Sequence, residues 1–243
     1  MTSEPLLRLN PAMNVGPAAE RLARTGRTQL PDVLTGDSAR RLVELMKGAA
    51  PWTRSISISG RGADVPVTQF DAQAPGEQQR LLDIVWSEAR DGFQYLFDRV
   101  RITEGRVAGA ALPPLFTALD DLLNGEDFLE TVRRLTGDEE IAFLDCQATR
   151  YLPGHFLTGH NDKRDEHGRR FAYVLNLAPR WRADWGGLLQ FHRPDGTVEE
   201  GLVPFYNHLS VFRVPQWHSV SIVAPFAGEP RLAVTGWMRT NRV

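Results

Sequence analysis

The most constraining feature of this chain is the run of short apolar segments between Ile141 and Met238. Residues 141–152, 170–178, 188–192, 209–214, 220–223 and 232–238 are each too short for a stable buried helix and are rich in β-branched and aromatic residues. Pro153-Gly154 and Asp195-Gly196 mark turns between them. Many short strands with turn signals at steady spacing build a sandwich or barrel, because each strand can bury only one face. No internal repeat and no low-complexity linker interrupts the pattern.

The first 140 residues read differently. Pro17–Arg24 has helical spacing and ends near Gly26, and residues 28–34 read as a short strand. Thr35-Gly-Asp-Ser opens a helix that carries Leu42, Val43, Leu45 and Met46 on one side. Trp52–Ser59 alternates as a strand, Gly60-Arg-Gly62 turns it, and residues 65–70 are expected to return beside it. Pro75-Gly76 precedes a long helical pattern read as one packing helix over residues 77–99. Pro113-Pro114 and Gly125-Glu-Asp127 open two further helices, ending near Asn124 and Thr136. Residues 1–12 read as irregular and frayed. The predicted fold class is mainly β with α: a jelly roll, or double-stranded β-helix, braced by N-terminal helices. Residues 1–140 form the support region and residues 141–243 the core. With no polar linker between them, one integrated domain is expected. Residues 59–73 are long enough to serve as a lid over the mouth, or as a plain hairpin connection.

Composition narrows the partners. A net charge of −2 and a charged content of 24% give no reason to expect nucleic acid or an anionic membrane. No apolar run approaches the ~20 residues of a membrane span. The N-terminal residues lack the apolar core of an export signal, and Cys146 is the single cysteine. A cytoplasmic protein is the simplest expectation. Nothing in the sequence speaks to oligomeric state.

Candidate chemistry begins at His160-Asn161-Asp162. On a strand or at its end, residues two apart point the same way, so the imidazole and the carboxylate can share a target. Two imidazoles and one carboxylate on one face suit a divalent metal such as iron and leave positions open. His218, in Pro215-Gln-Trp-His-Ser-Val, is the best-placed distant third ligand. Taken alone, a single His-x-acid among six histidines and thirty acids is unremarkable by count. A surface-loop role for His160 and a satisfied half-buried role for His218 are the ordinary alternatives. Arg231 opens the last apolar strand. A guanidinium facing into a barrel must be paired, either by a carboxylate-bearing ligand or by an internal acid or water.

Together these residues carry a resemblance. Tyr151-x-x-Gly154, His160-x-Asp162, Trp185-Gly-Gly187, His218 and Arg231-x-x-x-Thr235-x-Trp237 resemble the prolyl hydroxylase branch of the Fe(II)/2-oxoglutarate dioxygenases. Arg170–Trp181 with the following Gly-Gly looks most like the ribosomal-protein prolyl hydroxylases and also resembles the oxygen-sensing ones. The likeness covers roughly residues 141–240. It implies that His160, Asp162 and His218 bind Fe(II) and that Arg231 holds the distal carboxylate of 2-oxoglutarate. Tyr151, Thr235 and Trp237 would line the same pocket. Relatives often place a Tyr where this chain has Asn176, a shorter side chain that can still donate a hydrogen bond. The implied reaction uses O2, with ascorbate as a possible accessory, and releases succinate and CO2 while hydroxylating a C–H of a prolyl residue in a protein or peptide. The same chemistry on a free amino acid or small metabolite is a second reading. A cupin-like metal-binding module without turnover is a third, which Arg231 argues against. Other candidates are set aside. His155 sits at a turn, His167 lies in the charged loop 163–170 that could touch substrate, and His192 and His208 read as strand-end surface residues. Cys146 reads as a buried filler, and Trp181 and Trp185 as packing residues.

Overall fold

Local chemistry sets most helix ends in this computed structural model, which describes residues 5–163 and 168–242. Helix α1 (Gly16–Thr25) stops at Gly26, whose φ of 72° lets its amide donate to the Leu22 carbonyl. After strand β1 (Arg27–Leu30), the Thr35 hydroxyl caps α2 (Gly36–Gly48) by accepting from the Ser38 amide, and α2 buries Leu42, Val43 and Met46.

The next stretch departs from expectation twice. Strand β2 (Thr53–Ile58) pairs with β3 (Arg61–Pro66), so the return strand comes earlier than residues 65–70. Val67–Asp71 is a short helix, α3, that follows the fixed φ of Pro66. The long helix expected over 77–99 is split. Helix α4 (Pro75–Glu88) ends before Arg90-Asp-Gly92, and Tyr95–Arg101 is strand β4. Phe93, Leu96 and Phe97 mimic a helical i, i+3, i+4 face. Pairing on three partners (β2 and two strands named below) overrides that pattern. Three helices follow: α5 (Ile102–Val107), α6 (Pro114–Leu123) and α7 (Glu126–Thr136). Residues 5–12 are not frayed. Leu7 is buried in the core, the Asn10 amide donates to Val33, and the Thr35 amide donates to Arg8.

The later strands are β5 (Phe143–Leu144), β6 (Gln147–Tyr151), β7 (Phe156–His160), β8 (Arg169–Asn176), β9 (Leu189–His192), β10 (Val198–Leu202), β11 (His208–Arg213), β12 (His218–Val220) and β13 (Arg231–Arg239). Strands β7 and β10 went unforeseen. The first carries Gly159 beside a turn, and the second is a polar edge strand. All named pairings are antiparallel, and the sheet order is β1-β11-β8-β13-β6-β4-β7-β12-β9-β10, with β2 joined to β4.

Strand β13 shows how the core is layered. Leu232, Val234 and Met238 face a cluster with Leu22, Met46 and Phe128, so the helices brace this side. Ala233 faces the opposite layer with Ala172, Val174 and Phe212. Each such apolar side chain contributes about 1.5–3 kcal/mol when fully buried. The result is a mainly antiparallel jelly roll supported by helices, as the strand pattern predicts. No helix among the described residues is long and apolar enough to cross a membrane.

Candidate metal centre and acid pocket

Period two on β13 turns Arg231, Ala233, Thr235 and Trp237 to one side, and this side lines a pocket of about 330 Å3. His160 ends β7 and His218 begins β12, and the two are paired directly across the ladder. Their ring centroids are 4.1 Å apart. Asp162 lies just past His160 with a φ of 57°, a left-handed turn that swings its carboxylate back toward both rings. His160 Nε2 is 3.5 Å from Asp162 Oδ1, and His218 Nε2 is 3.6 Å from Asp162 Oδ2. The potential ligand atoms of the three all lie within 4.8 Å of one another.

Supporting hydrogen bonds fix which nitrogens face inward. His160 Nδ1 is 3.0 Å from the Thr158 carbonyl and His218 Nδ1 is 2.8 Å from the Gln216 carbonyl. A carbonyl only accepts, so each Nδ1 carries the proton and each Nε2 keeps its lone pair for the centre. Burial, reinforced by His160, pushes His218 down to about 4, so it is a neutral imidazole at neutral pH. Trp237 Nε1 donates to Asp162 Oδ2 at 3.1 Å and steadies the carboxylate.

The opposite end of the pocket is built around Arg231. It is 1% exposed, makes no ion pair among the described residues, and its Nε has no hydrogen-bond partner. Its guanidinium lies 5.1 Å from the Tyr151 ring centroid. Burial lowers the pKa of Arg231 and raises that of Tyr151 to about 12, so Tyr151 stays a phenol. Gly187 makes room for this arginine. A Cβ there would lie 2.9 Å from Arg231 Cδ and 3.1 Å from Trp181, on a backbone with φ of 62°. Gly236 serves β13 in the same way, since a Cβ would meet the Asp145 carbonyl at 1.9 Å.

The pocket thus gathers His160, Asp162, His218, Arg231, Tyr151, Thr235 and Trp237. Asn176 is not among its lining residues. The Asn176 amide donates to the His208 carbonyl and the Ser210 hydroxyl of β11. Sequence reading missed the wall supplied by β4, where Tyr95, Phe97 and Arg99 face inward and Phe97 stacks on Tyr151 at 5.2 Å. The alternation of those three residues was the available signal. Asp64 of the β2–β3 hairpin holds Arg99 at 2.9 and 3.0 Å, which ties the hairpin to this wall.

The residues set aside lie elsewhere or serve packing. His155 is buried behind the sheet, His192 meets the Ser219 hydroxyl, and His208 is half-buried on the Tyr206 carbonyl. Cys146 is buried, and Trp181 packs edge-on against Trp185. His167 lies outside the described residues. A concavity of about 880 Å3 between the N-terminal segment and α7 holds none of the candidate ligands.

Two imidazoles and a carboxylate converging on one point are a donor set that could hold a single metal ion, and they share their pocket with a buried guanidinium that has no acid partner among the described residues. Residues 146–239 match the family model described as the 2OG-Fe(II) oxygenase superfamily. The similarity points to its prolyl hydroxylase branch. Prolyl 3-hydroxylase OGFOD1 of Xenopus laevis is 34% identical over 119 residues, which cover 46% of this chain and 23% of that protein. The chain therefore spans about a quarter of that relative's length. Among solved structures, a Pseudomonas putida prolyl-4-hydroxylase superposes with a TM-score of 0.58 at 21% identity, covering 94% of this chain and all of that one. A Trichoplax adhaerens prolyl hydroxylase, solved with a hypoxia inducible factor peptide, gives 0.55 at 16% identity over 93% of this chain and 89% of that one. These two likenesses speak to the fold.

Proposed function

We propose that this chain is an Fe(II)- and 2-oxoglutarate-dependent dioxygenase that hydroxylates a prolyl residue in a protein or peptide. The observation that carries the reading is Arg231, a buried guanidinium with no acid partner among the described residues, in the same pocket as the His160–Asp162–His218 cluster. An unpaired buried charge is costly unless a ligand completes it. A dicarboxylate with a chelating keto acid end satisfies both ends of the pocket at once. A metal-binding module without turnover leaves Arg231 unexplained.

The residues fit this assignment. His160, Asp162 and His218 would hold the iron, with their inward lone pairs already set by Thr158, Gln216 and Trp237. When bound, iron(II) with 2-oxoglutarate and O2 supplies the oxidising equivalents for C–H hydroxylation and yields succinate and CO2. Arg231, whose guanidinium lies beside the Tyr151 ring, would fix the distal carboxylate through paired N–H donors, and the neutral Tyr151 hydroxyl would donate to the same acid. Thr235 is held at the wall by Gln147 Nε2, which donates to its hydroxyl at 3.3 Å. Phe97, Tyr151 and Val220 close the pocket against water. No side chain needs to act as acid or base. Residues 1–140 and 141–243 are read as one catalytic unit because β4 supplies part of the wall.

A polypeptide substrate is favoured over a free metabolite by the vestibule of about 520 Å3 outside His160 and Asp162, lined by Phe93, Tyr95, Arg99 and Arg101 among others. The decisive experiment adds Fe(II) and 2-oxoglutarate anaerobically to the apo-protein and then admits O2. A weak visible charge-transfer band followed by succinate is expected. Folded, iron-loaded protein with no band would mean that the pocket does not chelate 2-oxoglutarate.

A further inference from the structure

Beside the metal pocket lies a second cavity of about 280 Å3. Its walls include Val107 and Ala108 at the end of α5, Phe143, Cys146 and Trp237. Arg101, Glu104, Gln147 and Trp237 line both this cavity and the vestibule outside His160 and Asp162. Trp237 also lines the metal pocket, and its N–H is bonded to Asp162. The second cavity and the metal pocket therefore share a wall made by the Trp237 indole and the Gln147 side chain.

The charges around this cavity are already matched. Arg101 pairs with Glu104 at 2.5 Å and with Asp64 at 3.1 Å, and Arg239 pairs with Asp145. A charged guest would have to break one of these pairs, whereas an apolar guest meets Val107, Ala108, Phe143 and Trp237. Val107 is 79% exposed at the rim, so a branched apolar side chain stands in water beside an apolar cavity. The cavity is large enough for one bulky side chain and too small for an element of a folded partner.

We propose that this cavity is a specificity subsite for an uncharged, apolar side chain of the polypeptide substrate, near the hydroxylated proline. The inference rests on the oxygenase reading above. An extended peptide advances about 3.3 Å per residue, so crossing that wall corresponds to about two or three residues from the proline.

The test uses the full chain with Fe(II), 2-oxoglutarate and O2. The probes are synthetic nonapeptides with one central proline, in which each flanking position is Leu, Phe, Gly or Asp. Hydroxyproline and succinate are measured separately. The expected result is a preference for Leu or Phe at one fixed offset by about tenfold or more in kcat/KM, the scale of a filled apolar subsite. Ala108→Trp fills the cavity and Val107→Glu charges its rim. Both are expected to erase that preference by raising KM for the apolar-flanked peptide, with little change in kcat and little change for its Gly counterpart. The anaerobic band and the thermal unfolding midpoint check that the variants are folded. Hydroxylation without a flanking preference, or a preference that survives both variants, overturns the subsite. Succinate formation with none of the peptides hydroxylated also overturns it and leaves the oxygenase reading standing. Wild-type protein with neither band nor succinate removes the oxygenase reading and the subsite together.

Discussion

Two buried arginine sites lie a few strands apart and are treated in opposite ways. On the outward face of β4, Asp98 is fully buried between Arg54 of β2 and Arg150 of β6, its direct cross-strand neighbours. Arg54 Nε donates to Asp98 Oδ1 at 3.0 Å, and Arg150 donates to Oδ2 at 3.0 and 2.7 Å. That site is closed within the protein. Arg231 on β13 has a tyrosine ring for company and no carboxylate among the described residues. A closed charge cluster pins strands together, while an open buried charge is a socket whose stability depends on a guest.

The comparison can be broken at either site. The largest effect is expected from Asp98→Asn, which leaves two guanidiniums without their counter-charge. Removing one partner from a buried ionic cluster costs about 3–5 kcal/mol, read as a lower midpoint in urea unfolding. If stability scarcely changes, the cluster is solvated and the contrast with Arg231 disappears.

Next comes pH. His155 is packed behind this cluster. Burial pushes it down to about 4, against the pull of the Asp98 carboxylate, and the charges of Arg54 and Arg150 add to the lowering. Its folded pKa lies below the ordinary 6.5, so the unfolded chain binds the extra proton between those values. Stability is therefore full above about pH 6.5 and is lost as pH falls toward 4, by on the order of 3 kcal/mol. His155→Gln should flatten that part of the pH–stability curve. An unaltered slope would assign the titration to other groups.

Arg231→Met tests the open site and should differ in sign. Removing an unpaired buried charge while keeping bulk should leave the metal-free protein as stable or more so. With Mn(II) in the site, 2-oxoglutarate at a hundred times its Kd should stabilise the wild type by about 2.7 kcal/mol and the variant not at all. Equal stabilisation of both would place the acid elsewhere.

The smallest effect is expected at Trp237→Phe, which removes the donor to Asp162 and keeps an aromatic wall. Losing such an orienting hydrogen bond typically costs about 10–100-fold in metal affinity, measurable by Mn(II) titration. Unchanged affinity would mean that Asp162 needs no support from Trp237.

Much of the scaffold was legible because its signals are local. Gly26 stops α1, Thr35 caps α2, prolines open α4 and α6, and Gly137 closes α7. The strands from β6 onward largely announced themselves by alternation and turns. The failures share a cause. Residues 95–101 fit a helix by spacing and became a strand because β2, β6 and β7 offered ladders on both of its sides. Residues 5–12 lacked any periodicity and were ordered by backbone bonds to Val33 and by the Ser38 side chain. Neither set of partners is near in sequence.

The candidate site divides along the same line. The sequence by itself determined that Arg231, Thr235 and Trp237 share a strand face by period two, since covalent geometry fixes that relation, whereas Asp162 reaches His160 through a left-handed turn just past the end of β7. Only the tertiary structure decided that His218 pairs across from His160 and that β4 supplies a wall. It also decided that no acid among the described residues reaches Arg231 and that Asn176 spends its amide on β11. Those facts depend on which distant strands pair and in what register. Register is set by burying one face of every strand at once, a condition satisfied by the whole sheet and written in no single segment.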